Sequence, residues 1–472
     1  MKKLGLFFFI LVQFSFAQVN IGVKNDHFIS TNAITNNPSV FLQNPNPWEI
    51  NLFSADVFLQ NNYSFISQQS LLGLTGKDVK LYSNNSSNQE NLPKNTVGFE
   101  DNSKFNEYFQ TDILGPSFAI KFKIKEQEFA AGFYTRLRTI GSSFGIDNQY
   151  KYTNFINQSN FSRTYNPFEL SYATIQENAV FVSKPLIKER EKELLAGITL
   201  KQANVWDALI IRNNRTFNFD YDSSTKNLTL NNYDIDVFAS TSYDFTNKDY
   251  KPKNNGKSYA SDIGFTYVDY GDYEKENGEY LQKIGFSITD IGFIKINGEH
   301  HLFMSNPIII NQKYRFTNTD NVFNLLKEVS NIVYNNPDSS LEDTSFNIAL
   351  PTALHLSYSG NLTKSRYLTL GLTQRIPLSK NAFRTANIMY ANFAKNKSNF
   401  TYAAQVSVFE YNRLQLGGYL RWGPFFVGSD NVLPVFFTQK KLNSFDFYFG
   451  LKIYPFWSDA MKRRANKDCN CY

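Results

Sequence analysis

Residues 118–138, FAIKFKIKEQEFAAGFYTRLR, alternate between apolar and polar side chains on either side of a short polar turn. In the first half, Phe118 and Phe122 share one face, whereas Lys121 and Lys123 lie on the other. Successive side chains of a β-strand point to opposite faces of the sheet. The stretch therefore predicts a β-hairpin with one apolar face and one basic face.

The same period-2 alternation recurs along the chain, in stretches long enough to cross a bilayer as tilted strands. A soluble β-sandwich also alternates and remains an alternative. Two features favour a membrane barrel: the alternation continues almost without interruption through the last third of the chain, and Gly, Ser and Thr are frequent in the polar phase. We expect an all-β fold, an antiparallel transmembrane β-barrel of about 14 strands, with roughly 12 to 16 compatible with the length. The clearest further stretches are 194–201, 262–267, 283–289, 354–359, 368–375 and 445–454.

The composition excludes several classes of protein. The chain has 472 residues, of which 42% are hydrophobic, 16% aromatic and 19% charged. The abundance of aromatic residues argues against intrinsic disorder. The net charge of +6, from 48 basic and 42 acidic residues, is too balanced for the basic surface of a nucleic-acid-binding protein.

The N-terminus has the pattern of a secretory signal peptide. Lys2 and Lys3 precede an apolar core, and the small residues Ser15 and Ala17 predict cleavage before Gln18. Residues 1–17 are therefore expected to be a signal peptide, 18–457 the barrel with an N-terminal plug-like segment, and 458–472 a basic periplasmic tail. The expected location is the outer membrane of a Gram-negative bacterium.

Two connections between the alternating stretches are long. Residues 76–111 are rich in Asn and Ser and predict a long polar loop. In residues 312–350, apolar side chains recur at helical spacing between Val322 and Val333, which predicts one short amphipathic helix inside a loop. That helix could cover the mouth of the barrel or simply cap its own loop.

If the apolar phase faces lipid, the basic residues of the polar phase point into the barrel. Asp262 and Asp446 are the clearest acids in the same phase. A basic lumen would favour anionic solutes. The alternative is that these side chains pair with an acidic plug or lie at strand ends. The lumen-facing basic candidates are Lys121, Lys123, Arg136, Arg138, Lys201, Lys283, Arg375, Arg421 and Lys452.

The sequence offers little support for catalysis, a metal or a cofactor, and we expect none of them. Cys469 and Cys471 lie in the terminal tail without further ligands at metal-binding spacing. His355 and Ser357 share one face of a predicted strand, but their apolar neighbours take the lipid-facing phase, so a structural pair is favoured over a lipase.

Several short motifs resemble known families. Asn37-Pro38-Ser39 resembles the Asn-Pro-Ala hatch segment of the long-chain fatty-acid transporter superfamily. Most of the chain is more similar to a family of Bacteroidota outer-membrane barrels of unknown function. The motifs that carry this second resemblance are residues 48–52, 287–295, 350–352 and 423–430.

The resemblance implies a porin-like barrel with a hatch at Asn37, Pro38 and Ser39, and it implies no catalytic residue. We therefore expect an integral outer-membrane barrel that binds or passes a small amphipathic or anionic solute. A non-transporting barrel that scaffolds a secretion or gliding assembly is the alternative. The expected partners are membrane lipids, a small amphipathic ligand and an envelope protein, and no nucleic acid.

Overall fold

The computed structural model describes residues 20–81, 92–100, 104–147, 159–304, 307–311, 314, 316–317, 321–363 and 365–455. The predicted signal peptide, Cys469 and Cys471 lie outside these residues. Four α-helices are described: α1 (Ile21–Lys24), α2 (Thr31–Ile34), α3 (Val322–Tyr334) and α4 (Val432–Phe436). No helix in the described part of the chain is long and apolar enough to span a membrane.

Strands dominate the fold, as the alternation predicts. In chain order they are β1 (Trp48–Asn61), β2 (Ser64–Gln69), β3 (Lys80–Leu81), β4 (Thr96–Phe99), β5 (Lys104–Ile124), β6 (Gln127–Asp147), β7 (Phe161–Tyr165), β8 (Phe168–Lys188), β9 (Lys192–Asn213), β10 (Phe217–Asp222), β11 (Asn227–Asn231), β12 (Asp234–Ser240), β13 (Tyr243–Asp244), β14 (Asp249–Tyr250), β15 (Gly256–Asp269), β16 (Gln282–Ile291), β17 (Phe293–Met304), β18 (Ile308–Asn311), β19 (Leu341–Ala349), β20 (Ala353–Thr363), β21 (Arg366–Arg375), β22 (Ile388–Asn396), β23 (Phe400–Phe409), β24 (Arg413–Trp422), β25 (Phe425–Ser429), β26 (Gln439–Leu442) and β27 (Ser444–Ile453).

One antiparallel sheet closes on itself to form the barrel. It contains 17 strand segments, and closure occurs because β1 pairs with β5 on one side and with β27 on the other. The predicted all-β antiparallel barrel is confirmed. The predicted number of about 14 strands is lower than the number of segments. The reason is that at three places the chain runs from one end of the barrel to the other in two segments: β12 and β15, β16 and β17, and β19 and β20.

Side chains along the strands alternate between the two faces of the wall. In the hairpin of β5 and β6, Ile120 and Phe133 are exposed outside, whereas Ala119 and Arg136 are buried inside. The predicted phase of this hairpin is therefore confirmed. Exposed Ile, Leu, Val, Phe and Tyr side chains cover the outer surface of most crossings, so the outer surface is apolar.

The two ends of the barrel differ. Tight connections such as residues 125–126, 189–191 and 423–424 form one end, which we call the short-turn end. Longer connections form the opposite, long-loop end. Strands β5, β6, β8 and β9 have 21 or 22 residues, whereas β21 to β24 have 9 or 10, so one side of the wall extends further at the long-loop end.

The long-loop end carries more structure than the sequence predicts. Strands β7, β10, β11 and β18 form a separate four-stranded sheet, and α3 packs with it around a shared apolar cluster. The predicted helix is confirmed as α3. The range 76–111, predicted as a long polar loop, contains β3, β4 and the start of β5.

Candidate functional site

The N-terminal segment, residues 20–47, lies inside the barrel. Its side chains are mostly buried, and it contacts strands all around the wall. The Ile21 amide donates a hydrogen bond to Asp430 (3.0 Å), and the Gly22 amide donates one to the Tyr448 hydroxyl (3.2 Å). On another side of the wall, the Ser287 hydroxyl of β16 donates to the carbonyl oxygen of Asn36 (2.5 Å).

The Asn37-Pro38-Ser39 motif lies against the wall where three neighbouring strands carry glycine. An added Cβ at Gly197 would lie 2.6 Å from the carbonyl carbon of Pro38, and one at Gly264 would collide with the Asn37 amide. The third glycine, Gly285 of β16, lies beside the same Asn37 side chain. At Gly197 glycine is required because the backbone of Pro38 and Ser39 approaches the wall too closely for any side chain.

Hydrogen bonds fix the motif in this position. The Asn37 amide nitrogen donates to the carbonyl oxygen of Phe265 (3.1 Å) and to the Thr266 hydroxyl (3.2 Å). The Ser39 hydroxyl lies 2.6 Å from the same Thr266 oxygen and also donates to Asn37 Oδ1 (2.7 Å). Asn37 and Ser39 of the motif thus both bind the Thr266 hydroxyl of β15.

Two buried ion pairs lie where the segment meets the wall near the short-turn end: one joins the segment to β24, and the other joins β27 to Glu49 of β1. Arg421 Nε of β24 lies 2.7 Å from Asp26 Oδ2, and neither side chain is exposed. Lys452 Nζ of β27 lies 2.9 Å from Glu49 Oε1, again with no exposure. Glu49 also accepts hydrogen bonds from the backbone amides of Ser30 (2.7 Å) and Thr31 (3.0 Å), so it connects the wall to the segment.

A chain of alternating charges crosses the inner wall from β5 to β15. Arg136 Nη2 lies 2.5 Å from Asp112 Oδ2, and Arg136 Nη1 lies 3.5 Å from Glu177 Oε2. The other carboxylate oxygen of Glu177, Oε1, lies 2.5 Å from Arg138 Nη2. The chain continues from Arg138 to Asp290 (2.7 Å).

Lys201 completes this network. Its ammonium lies 2.5 Å from Asp290 and 2.7 Å from Asp262, and it is fully buried. Burying so many charges is tolerated only where each has a partner. The network comprises Asp112, Arg136, Glu177, Arg138, Asp290, Lys201 and Asp262.

The structure places the nine basic candidates in different environments. Six of them form ion pairs: Arg136, Arg138, Lys201, Arg375, Arg421 and Lys452. Lys121 contacts the carbonyl oxygen of Asn44, Lys123 is exposed, and Lys283 lies 4.9 Å from the centre of the Tyr280 ring.

The sequence-based count of interior acids is too low. Asp262 lies inside as expected, and so does Asp446. However, the partners of the basic residues also include Asp26, Glu49, Asp112, Glu177, Asp290 and Glu410, which lie outside the stretches that alternate most clearly. The interior is therefore a paired network and not a uniformly basic lumen.

An apolar pocket lies on the long-loop side of the N-terminal segment, and we call it the upper pocket. The space between its lining side chains, including the opening to solvent, is about 450 Å³, and Ile21 of the segment lines it. Phe58, Tyr108, Ile388 and Phe409 form a buried cluster in its wall, with the rings of Phe58 and Phe409 centred 5.0 Å apart.

A few polar side chains reach the same pocket. Gln110, Ser407, Gln415 and Asp430 line it beside the aromatic rings. An apolar cavity with a small number of polar groups is the usual form of a small-molecule site. Sequence reasoning missed this pocket because its residues come from β1, β5, β23 and β24, which are far apart in the chain.

The connection between β21 and β22, residues 376–387, closes the pocket on the long-loop side, and we call it the crossing segment. Its residues Arg384, Thr385 and Ala386 line the pocket. Arg384 Nε lies 3.0 Å from Glu169 of β8, on the tall side of the wall. Glu169 also pairs with Arg212 (2.9 Å).

Phe383 of the crossing segment inserts into an apolar cluster on the inner face of the tall wall. The segment therefore spans from the short strands to the long ones, across the mouth of the barrel.

The His355 and Ser357 pair has no catalytic arrangement. His355 Nε2 lies 3.0 Å from the Thr289 hydroxyl and Nδ1 lies 3.0 Å from the Thr373 hydroxyl, so both ring nitrogens have threonine partners. No group of three or more His, Cys, Asp and Glu side chains in the described ranges could hold a metal ion.

Comparison with solved structures gives matches of low similarity. The TodX deltaS2S3 mutant, a monoaromatic hydrocarbon channel, is 9% identical over 92% of this chain and 96% of its own, with a TM-score of 0.42. A FadL homologue from Pseudomonas aeruginosa is 9% identical over 91% and 94%, with a TM-score of 0.24. CdiB from Escherichia coli is 6% identical over 85% and 63%, with a TM-score of 0.16.

No curated protein matches the chain. Residues 38–430 match a family of unknown function, DUF5723, and because this match covers most of the chain, the protein belongs to that family.

Proposed function

We propose that this protein is an integral outer-membrane β-barrel that binds a small apolar or amphipathic molecule in the upper pocket. In this proposal the N-terminal segment is a plug, and the molecule passes the plug on its way to the short-turn end. The observation that carries the proposal is the shared boundary: Ile21 of the plug lines the aromatic pocket.

The surface of the barrel supports the membrane location. Its outward face presents side chains such as Ile198, Phe265 and Leu370 to the surroundings. A closed barrel satisfies all its backbone hydrogen bonds within the sheet, as a membrane requires. The predicted signal peptide supports export from the cytoplasm.

The pocket supports an apolar or amphipathic ligand. Aromatic and aliphatic side chains dominate its wall, and burial of apolar ligand surface stabilises a complex by about 25 cal/mol per Å². The hydrogen bond from the Ile21 amide to Asp430 connects the plug to the rim of the pocket. A ligand that displaces Ile21 would therefore disturb the first contact between plug and wall.

The test is to purify the mature protein in a mild detergent and to identify small molecules bound to it by native mass spectrometry. Ala386→Trp fills the pocket from the crossing segment and is expected to remove the bound molecule. Lys380→Trp, on the exposed part of the same segment, is the matched control and should retain it. Binding that survives Ala386→Trp would contradict the upper pocket as the site.

A scaffold for a larger envelope assembly is the second candidate. The separate sheet of β7, β10, β11 and β18 with α3 supports it, because a membrane-spanning wall does not need this layer. Cross-linking in cells followed by affinity purification should then recover a stoichiometric protein partner. Recovery of the barrel alone would count against this second function.

A further inference from the structure

The separate sheet and α3 at the long-loop end pack against the outside of the wall. Leu209 and Ile211 of β9 contact their apolar cluster, whereas the neighbours Ala208 and Ile210 belong to the cluster on the inner face. Because side chains alternate along a strand, Leu209 and Ile211 point outwards. The sheet of β7, β10, β11 and β18 is open in the described part of the chain, and open sheet edges do not occur in hydrocarbon. The membrane therefore ends below this layer.

The outward side chains of β9 locate the membrane boundary more closely. Ile198 and Leu200 are exposed and apolar, as lipid-facing residues are. The next outward positions towards the long-loop end are polar and include Asn204 and Asp207, and the covering layer begins at Leu209. In a membrane, this polar interval lies at the level of the lipid head groups. It belongs to the outer leaflet, because longer loops of such barrels face the cell exterior.

A row of four side chains crosses the outer face of the wall at this level, and we call it the lysine row. Lys257 of β15 lies directly opposite Asn204 of β9 on one side and Lys295 of β17 on the other. Lys295 in turn lies opposite Asn347 of β19. Residues directly opposite one another share a face of the sheet. The row therefore points outwards, with two adjacent lysines between two asparagines.

The protein does not neutralise the two lysines of the row. Both Lys257 and Lys295 are exposed, and neither forms an ion pair within the part of the chain that the structure describes. Like charges directly opposite each other on neighbouring strands destabilise a sheet. An anion bound to both strands would remove this repulsion.

Acids on the strands of the row have other partners. Asp207 of β9 accepts hydrogen bonds from the Tyr250 hydroxyl and from a backbone amide (2.7 Å). Glu299 Oε2 of β17 lies 3.0 Å from His301 Nε2. Asp343 of β19 accepts a hydrogen bond from the amide two residues further along the chain (3.1 Å). These contacts leave the lysine row able to bind an anion from outside the protein.

Apolar side chains continue from the row towards the membrane centre. Tyr259 follows Lys257 by two residues on β15, and Phe293 precedes Lys295 by two residues on β17, so both lie nearer the short-turn end. Their side chains are 73% and 52% exposed. A free inorganic ion would leave this apolar surface uncovered. The acyl chains of a lipid would cover it while its head group reaches the lysines.

We propose that the lysine row binds the phosphate group of an outer-leaflet lipid, with the phosphate at Lys257 and Lys295 and the acyl chains against Tyr259 and Phe293. The phosphate oxygens accept charge-assisted hydrogen bonds from the two ammonium groups. The inference rests on the membrane location in the proposed function, but it does not require a ligand in the upper pocket.

The test is native mass spectrometry of the mature protein with added lipid, in a detergent with an uncharged head group. The probe is dioleoyl phosphatidic acid, and the comparison lipid is dioleoylglycerol, which has the same acyl chains and no phosphate. We expect the first phosphatidic acid molecule to bind at least about tenfold more tightly, because basic residues at the membrane surface attract anionic head groups. Equal affinity for the two lipids would overturn the proposal.

Substitutions locate the site. The double variant Lys257→Gln with Lys295→Gln is expected to bind phosphatidic acid about tenfold more weakly or worse. Lys184→Gln with Lys192→Gln is the matched control, because it removes the same charge from two exposed lysines at the short-turn end. Heat-modifiable migration on SDS gels confirms that each variant forms the barrel. Unchanged affinity in the folded first variant, or an equal loss in both, would refute the assignment.

Two further measurements separate the lipid from a free ion and this inference from the proposed function. Inorganic phosphate at the concentration of the lipid should not displace phosphatidic acid, and displacement would assign the row to a free anion and overturn the lipid. Flotation with liposomes tests the membrane location independently. A protein that floats with liposomes but binds both lipids equally would overturn this inference alone, whereas a protein that does not enter liposomes would contradict the proposed function.

Discussion

Asp26 of the plug and Arg421 of β24 form an ion pair with 2.7 Å between Oδ2 and Nε, and neither side chain is exposed. Arg421 uses its other nitrogens to donate to the carbonyl oxygens of Ser398 and Lys397, each at 2.8 Å. The guanidinium thus connects the plug to the turn between β22 and β23. This single residue couples the position of the plug to the short-turn end of the wall.

Asp26→Asn should loosen the plug without unfolding the barrel. Removing one partner of a buried ion pair leaves the other charge uncompensated, which typically costs about 3–5 kcal/mol. We expect a higher single-channel conductance in planar bilayers and faster proteolysis within residues 20–47. Asp244→Asn, in the exposed hairpin of β13 and β14, is the control. Conductance equal to that of the unmodified protein would show that this pair does not retain the plug.

Gly264→Val tests the close contact between the plug motif and the wall. An added Cβ there collides with the Asn37 amide, and valine adds two methyl groups. We expect the barrel to fold while the motif is displaced, so that a cysteine introduced at Ser39 becomes accessible to a maleimide reagent. Gly418→Ala is the control, because an added Cβ there has its nearest neighbour at 4.0 Å. Protection of the cysteine in both variants would contradict the predicted displacement.

The wall can be predicted from the sequence because alternation is a local property. The phase of residues 118–138 already specifies which side chains of β5 and β6 face inwards, and the structure agrees. The number of segments cannot be predicted, because crossings are interrupted by local features such as the left-handed backbone at Asp290, with φ of 59°. Nothing in the alternation marks that interruption.

The interior is less predictable than the wall because its contacts join distant parts of the chain. The phase of the alternation identifies Arg138, but its partner Asp290 lies 152 residues away. The pocket wall likewise brings Phe58 next to Phe409. Such pairings depend on barrel closure, which a one-dimensional pattern does not contain.

The charge network of the inner wall should behave as a coupled unit. Arg138→Gln leaves Glu177 and Asp290 without one partner, and Asp290→Asn does the same to Arg138 and Lys201. We expect each single variant to lower the free energy of unfolding, and the double variant to lower it by less than the sum. The coupling should be about 0.5–3 kcal/mol, measured by urea unfolding in detergent. Additive losses would show that the two side chains act independently.

Acidification should weaken the packing of the plug through His27. Burial among Tyr280, Tyr367 and the plug backbone lowers the pKa of His27 well below its usual value, and the nearby charges of Lys283 and Arg421 lower it further. Because the unfolded chain binds the proton more readily, stability is lost as the pH falls below about 6.5, by up to about 1.4 kcal/mol per pH unit. Protonation would also remove the hydrogen bond that Nε2 accepts from Tyr280.

The measurement that checks this acid sensitivity is the thermal midpoint of unfolding as a function of pH. The midpoint should fall between about pH 7.5 and about pH 5.0, since that interval spans the ordinary pKa of histidine, and His27→Gln should reduce the fall. His300→Gln, whose ring nitrogen Nε2 lies 3.0 Å from Asp236 Oδ1 of β12, is the control and should keep the full dependence. An unchanged pH dependence in His27→Gln would show that other groups, and not this histidine, make the plug sensitive to acid.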